Sequence, residues 1–271
     1  MNVWLIYTKI FYNNFDKLIR VLMSRFVSQN ISNIKPVIES ISELTGECLF
    51  TINKNGIYIE GTDPSLISKV EFLMPAKSFD KFEIDAEESV GVNIDSFAKI
   101  CRRAYQNELM SIDINSKAGK VELILESDFK RNFEFTLLST TNFSIPQLNP
   151  KYSTFIEIDS KIFRDIIKDM AVIGGTILFS IHKNNISISS EDYTSKALAE
   201  ISSESKSIKK FEAKTIQRSK YNLNYILSFL SAFAVSDYLK ISVGGSKLPL
   251  KLEYQIGEEG RFTLYLAPME I

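Results

Sequence analysis

Apolar residues recur along the chain in two rhythms. Ile34, Val37, Ile38, Ile41 and Leu44 fall at helical spacing and predict an amphipathic helix, as do Phe163, Ile166, Ile167, Met170 and Ile173. A second pair of helices is marked by Ile94, Phe97, Ile100, Cys101 and Ala104, and by Leu223, Ile226, Leu227, Leu230 and Val235. Asn93 and Asn222 stand directly before that pair, where a side-chain oxygen can take an orphan backbone N–H. Gly46 and Gly175 follow the first pair as expected stops. Elsewhere the rhythm is alternation, which predicts short strands at 25–28 and 154–158, 69–74, 82–84, 110–114, 121–125 and 133–137, and at 239–243, 250–254 and 262–266. The segments 48–52 and 56–60 flank NKNG, a strong hairpin signal.

These elements occur twice. FTINKNGIYI from Phe50 matches FSIHKNNISI from Phe179, an offset of 129 residues. Without a gap, the same offset carries Phe26 to Phe155, Asp63 to Asp192, Glu71 to Glu200, Asn93 to Asn222, Leu123 to Leu252 and Phe133 to Phe262. The expected fold is therefore α+β, with two repeated strand-rich units of two helices each, 23–138 and 154–271. Residues 139–153, STTNFSIPQLNPKYS, form an extended connector marked by two prolines. Residues 1–22 have no counterpart in the repeat and are expected to be an N-terminal extension or the trace of a start codon assigned too early.

Composition adds exclusions. The 271 residues carry 32 Lys plus Arg against 33 Asp plus Glu, a formal charge of −1, and are 45% apolar: neither a disordered chain nor a polycation. The apolar runs at 3–7 and 223–235 are too short to span a bilayer, and the N-terminus lacks a basic head, so no membrane is expected and the chain reads as cytoplasmic. Cys48 and Cys101 sit in apolar patterns as small core residues. His182, the sole histidine, takes the turn position that Asn53 fills in the first unit, so its role is geometric. Asp63 and Asp192 share a strand-end position and are expected to close turns rather than hold a metal. No acid, base or nucleophile stands in a special setting, so no enzyme, metal or cofactor is expected.

The charged positions are more informative. Lys161, Arg164 and Lys168 stand opposite the apolar face of their helix, and Lys99, Arg102, Arg103 and Gln106 do likewise in the other unit. With a net charge near zero, such clustering implies segregated charge, which suits a phosphate backbone. No exposed aromatics interleave with these bases, so stacking on single strands is not expected.

The twofold repeat, the proline-bearing connector, the helix opening NLNYILSFL and the ending LPLKLEYQIGEEGRFTLYLAPMEI together resemble the proliferating cell nuclear antigen sliding clamps, the archaeal members above all. The turn EGTDPSLIS and the helix DSFAKICRRA are similar too. The resemblance implies a DNA-clamp fold and a ring of three subunits encircling duplex DNA without reading its sequence, with Lys35, Lys99, Arg102, Arg103, Lys161, Arg164 and Lys168 facing the DNA. It implies a processivity factor, opened by an ATP-using clamp loader, that tethers DNA polymerase, flap endonuclease and DNA ligase through short peptide motifs. Those peptides would dock in a groove of Leu66, Ile67, Ile145, Pro146, Leu148, Pro249, Ala267 and Pro268, with backbone hydrogen bonds from residues 266–269. Residues 131–138 of one subunit would pair with 195–202 of the next.

Two departures stand out. The first helix of the first unit offers only Lys35, with Glu39 and Glu43 beyond it, and the helix from Leu223 has no base. An uneven lining suits a ring built from distinct paralogues, so homomeric and heteromeric rings both stay open. The alternatives are a checkpoint-type clamp, a scaffold unrelated to DNA, and a DNA-acting enzyme in which Asp63 and Asp192, or Glu191 and Asp192, hold a metal.

Overall fold

A computed structural model of the chain describes residues 24–29, 31–105 and 107–270; the expected N-terminal extension and Gln106 lie outside them. The first unit runs β1 (Ser24–Ser28), α1 (Ile34–Leu44), β2 (Glu47–Asn53), β3 (Gly56–Thr62), β4 (Ser68–Pro75), β5 (Lys81–Glu83), β6 (Glu88–Asn93), α2 (Ile94–Cys101), β7 (Leu109–Asn115), β8 (Lys120–Glu126) and β9 (Lys130–Thr136). The second repeats this order: β10 (Thr154–Asp159), α3 (Ser160–Ala171), β11 (Thr176–Ile181), β12 (Asn185–Glu191), β13 (Lys196–Ser202), β14 (Ile208–Ala213), β15 (Gln217–Asn222), α4 (Leu223–Leu230), β16 (Tyr238–Ser242), β17 (Leu250–Ile256) and β18 (Gly260–Leu266). Among the described residues no helix is long and apolar enough to cross a membrane.

The strands form three antiparallel sheets. In the first unit β5-β1-β7-β8-β9 stand in one sheet; the second unit places its counterparts β14-β10-β16-β17-β18 in the same order. There β18 goes on to pair with β4, so the series continues through β4-β3-β2-β6 into a nine-stranded sheet that crosses the unit boundary. The remaining sheet, β13-β12-β11-β15, is the second unit's counterpart of that run. Strands β9 and β13 are consequently end strands.

Sequence expectation and structure differ in register. Phe26 pairs with Ile112, and the residue that pairs with Ile241 is Ile156, not Phe155, so the repeat slips by one residue in its first strand. The last hairpin is longer by one residue in each arm: Leu123 faces Phe133, whereas Leu252 faces Leu264. Neither Gly46 nor Gly175 adopts a left-handed conformation; α1 ends at Leu44 and α3 at Ala171 without a glycine cap. Two strands escaped the alternation pattern, β6 and β15, and β14 and β15 occupy the basic stretch that follows β13.

Both asparagine caps form. Asn93 Oδ1 accepts from the Ser96 amide at 2.9 Å and Asn222 Oδ1 from the Asn224 amide at 3.0 Å. The helices turn the expected faces inward, with Ile100, Ile166, Ile173, Leu227 and Val235 only half-buried; in α4 it is Phe229 rather than Leu227 that is fully buried. Phe229 stacks on Tyr254 at 5.0 Å and on Phe262 at 4.6 Å, tying α4 to β17 and β18. Replacing it with alanine removes about 3–5 kcal/mol of stability, an expectation that urea unfolding checks through a lower midpoint at unchanged slope.

Candidate functional site

The four helices pack side by side in one row. Helix α1 touches α2 on one side and α4 on the other, and α3 touches α4. Across the unit boundary, Ser40 Oγ of α1 donates to the Ser228 carbonyl of α4 at 2.8 Å. The row α2–α1–α4–α3 therefore places the base-rich helices at its two ends and the base-poor ones in the middle. Uneven charge along the sequence becomes an ordered distribution in space.

The individual bases fare differently. Lys99, Arg102 and Arg103 are exposed at the C-terminal end of α2, and Lys161 and Lys168 are exposed on α3. Lys35 is turned aside: its Nζ donates to the carbonyls of Arg102 at 2.9 Å and Ala104 at 3.3 Å, where a cation meets the negative end of α2. Arg164 is also engaged. It bonds Asp165 at 2.7 Å and lies 3.8 Å from the Phe233 ring centre, which leaves its side chain 18% exposed. The Arg164 hydrogen bond holds the Asp165 carboxyl below its ordinary range. The expectation of no aromatics near the bases fails at Tyr105, which is exposed just beyond Arg103. Arg131 fills the space between Tyr105 and Phe129, 5.4 and 5.3 Å from their ring centres, and bonds the buried Glu108 at 2.6 Å.

The groove residues lie on the loop after β3, the connector and the chain end. Ser68 pairs with Leu266 and Leu266 with Leu250, so Ile67, Ala267 and Pro249 are brought together by strand register. The Ala267 amide donates to the Ile67 carbonyl at 2.8 Å and the Met269 amide to the Lys220 carbonyl at 2.7 Å. Those two N–H groups are thus engaged within the chain, and Pro268 has none to offer. Leu66, Ile67 and Leu148 are exposed, as is Pro146, while Ile145, Pro249, Ala267 and Pro268 are half-buried.

Leu66 holds a left-handed backbone, φ 55°, which costs a non-glycine residue about 1–2 kcal/mol. Asp63 fixes that turn. Its carboxylate accepts from the amides of Ser65 at 3.0 Å and Ser68 at 2.5 Å, and from the Tyr225 hydroxyl of α4 at 3.1 Å. Asp192 closes its own exposed turn on Thr194 and Ser195, and these backbone bonds hold its carboxyl below the usual range. Each aspartate serves its own loop, in separate units. Among the described residues no group of three or more His, Cys, Asp or Glu side chains is placed to hold a metal ion. Cys48 and Cys101 are buried, and burial pushes the Cys101 thiol up to about 12.

A residue that the sequence reading passed over anchors the connector. Lys69, 2% exposed, makes ion pairs of 2.8 Å with Glu60 and with Glu71 and donates to the Pro146 carbonyl at 3.0 Å. Burial pulls the Lys69 ammonium down, but its bonds to the two glutamates outweigh that and the net shift is upward. The signal was there to find: Glu60 and Glu71 face each other across β3 and β4, a repulsive pair that calls for a cation between. Gly91 helps at the other end of the connector, because a Cβ there would lie 2.6 Å from the Phe143 ring.

The two end strands flank the helix row. Phe135 of β9 packs against Phe97 of α2 at 6.3 Å, and β13 lies beside α3. Strand β9 ends at Thr136; the Leu137 amide carries its register one step further onto the Gly119 carbonyl, and the Leu138 amide turns to the Gly91 carbonyl.

Comparison with known proteins agrees with this geometry. The family model for the proliferating cell nuclear antigen N-terminal domain matches residues 22–142, and that for its C-terminal domain matches residues 144–269. A DNA polymerase sliding clamp of Pyrococcus horikoshii is 23% identical over 242 residues, 89% of this chain and 96% of that protein. One of Thermococcus sibiricus is 25% identical over 232 residues, 86% and 92% of the two chains. Among solved structures, the PCNA2–PCNA3 complex of Sulfolobus tokodaii superposes with a TM-score of 0.82 at 24% identity, covering 90% of this chain and 98% of that one. PCNA of Thermococcus kodakaraensis gives 0.83 at 20% identity, with 91% and 100% covered. Two matched domains meeting at the connector, over a repeat whose sheets and helix row carry the same architecture, place this chain in the proliferating cell nuclear antigen family.

Proposed function

We infer that the protein is a DNA sliding clamp, a polymerase processivity factor that encircles duplex DNA and tethers other enzymes to it. The observation that carries the reading is the row of four helices with a bare sheet edge at each end, β9 beside α2 and β13 beside α3. Bare edges are paired or blunted in folded proteins, and two different edges on one subunit make a head-to-tail contact that closes into a ring. A ring of three puts all its helices on the inside. The ends of each row, where the bases are, then meet at the joints between subunits.

Lys99, Arg102, Arg103, Lys161 and Lys168 are the residues assigned to the phosphates, with Arg164 and Lys35 committed to neighbours. Such contacts position without specifying sequence. The corner of Leu66, Ile67, Ile145, Leu148 and Ala267 is assigned to peptides of DNA polymerase, flap endonuclease and DNA ligase, and a clamp loader is required to open the ring. Domain boundaries at 23–138, 139–153 and 154–271 fit this reading, the middle segment being the exposed connector.

Topology supplies the test. Loaded on a closed circular duplex, the protein is expected to stay bound through gel filtration at high salt and to be lost once the circle is cut. Retention on cut DNA, or equal loss from both forms, would refute encirclement.

A further inference from the structure

We propose that Tyr225 of helix α4 is a positioning residue for the peptide groove: its hydroxyl holds the Asp63 carboxylate, and that carboxylate holds Leu66 out as an aliphatic wall. The proposal rests on the groove reading above and deepens it by naming what sets the wall in place.

The two halves of the chain supply the comparison. Asp63 and Asp192 occupy the same place, each directly after the strand that completes a hairpin. The Asp192 amide donates to the Ser195 carbonyl, three positions on, and its turn closes at once. The Asp63 amide reaches the Ser68 carbonyl, five positions on, and the longer loop carries Leu66, 65% exposed, and Ile67, 40% exposed. Among the described non-glycine residues Leu66 is alone in holding a left-handed backbone. Strained backbone persists only where its surroundings over-determine it, and such places gather at binding sites.

What over-determines this loop is a carboxylate with four donors. Asp63, 4% exposed, takes the Ser68 amide and hydroxyl on Oδ1 at 2.5 and 3.0 Å. On Oδ2 it takes the Ser65 amide at 3.0 Å and the Tyr225 hydroxyl at 3.1 Å. Three of those donors come from the loop and the residue that ends it. Tyr225 comes from elsewhere: it stands in the first turn of α4, in the other unit, and its ring packs against the core. Helix α4 is itself fixed, by the Asn222 cap and by Phe229 stacked on Tyr254 and Phe262. A loop tied only to itself can shift as a body, whereas a bond to a packed helix sets its place. The Asp192 carboxylate instead bonds Thr194 and Ser195 within its own exposed turn. Burial, and then the Asp63 carboxylate, push the Tyr225 phenol above its ordinary value, so it keeps the proton that it donates. A hydroxyl from the helix row thus props a wall of the groove.

The experiment uses the full chain and a synthetic peptide carrying one leucine and two phenylalanines, titrated in a calorimeter. Tyr225→Phe keeps the packed ring and removes only the hydroxyl; the Kd should rise about tenfold, the worth of one hydrogen bond to a charged group. Leu66→Ala should also weaken binding, and in that background Tyr225→Phe should cost nothing more, because the side chain it positions is gone. If Leu66→Ala weakens binding but Tyr225→Phe has no effect, or costs the same in both backgrounds, the positioning role is overturned and the groove stands. Leu66→Ala that binds as tightly as its parent would remove that wall from the groove, and the proposal with it.

Discussion

Changing Arg102 and Lys168 together to glutamate is expected to reduce duplex binding by the assembled ring roughly a hundredfold or more at moderate salt, through two lost phosphate contacts and two new repulsions per subunit. The two residues sit at opposite ends of the helix row, so in a ring each joint loses both. The logarithm of affinity against the logarithm of salt should flatten by nearly one unit for each contact removed. Stimulation of a polymerase should fall on every template alike, since no base edge is read. A loss that varied with sequence, or an unchanged salt slope, would show that these helices do not face the DNA.

The second large effect concerns the outer corner. Ile145→Ala with Leu148→Ala should weaken binding of a synthetic peptide carrying one leucine and two phenylalanines by about two to three orders of magnitude in a calorimeter, because anchors of this kind carry most of the energy at small interfaces. The ring and its hold on circular DNA should survive. The connector that presents these residues is held at Pro146 by buried Lys69, and the loop opposite is held by Asp63 with Leu66 under backbone strain, so both walls are preset. Since the Ala267 and Met269 amides are already engaged, those two N–H groups are not open to a peptide. A double variant that bound as tightly as its parent would place the groove elsewhere.

Much of the architecture was legible because its signals are local. The spacing of Ile34, Val37, Ile38, Ile41 and Leu44 names a buried helix face, and Asn93 and Asn222 name the caps. The slip in the last hairpin was not legible. A shift of two residues keeps the same side chains pointing inward, so hydrophobic alternation carries no trace of it, and Phe133 seemed to match Phe262. Phe155 misled for another reason: it points outward, where Lys210 and Lys240 cover its ring at 4.7 and 4.8 Å. Strands β6 and β15, ESVGVN and QRSKYN, are too short and too polar to show a period. Among the site residues, exposure of the α2 and α3 bases followed from helix geometry. The capture of Lys35 by α2 and of Arg164 by Phe233 depends on tertiary neighbours that a single helix cannot reveal.

The pairing of β18 with β4 has a mechanical side. With one sheet and one continuous apolar core spanning its two halves, each chain is a stiff arc, and bending it in the middle would tear a ladder and a packed interior at once. In the proposed ring, the seams between arcs would lack any such covalent continuation. Strain applied to such a circlet concentrates where chains merely abut, so the protein would open like a bracelet at a clasp, with its curvature kept elsewhere along the circumference.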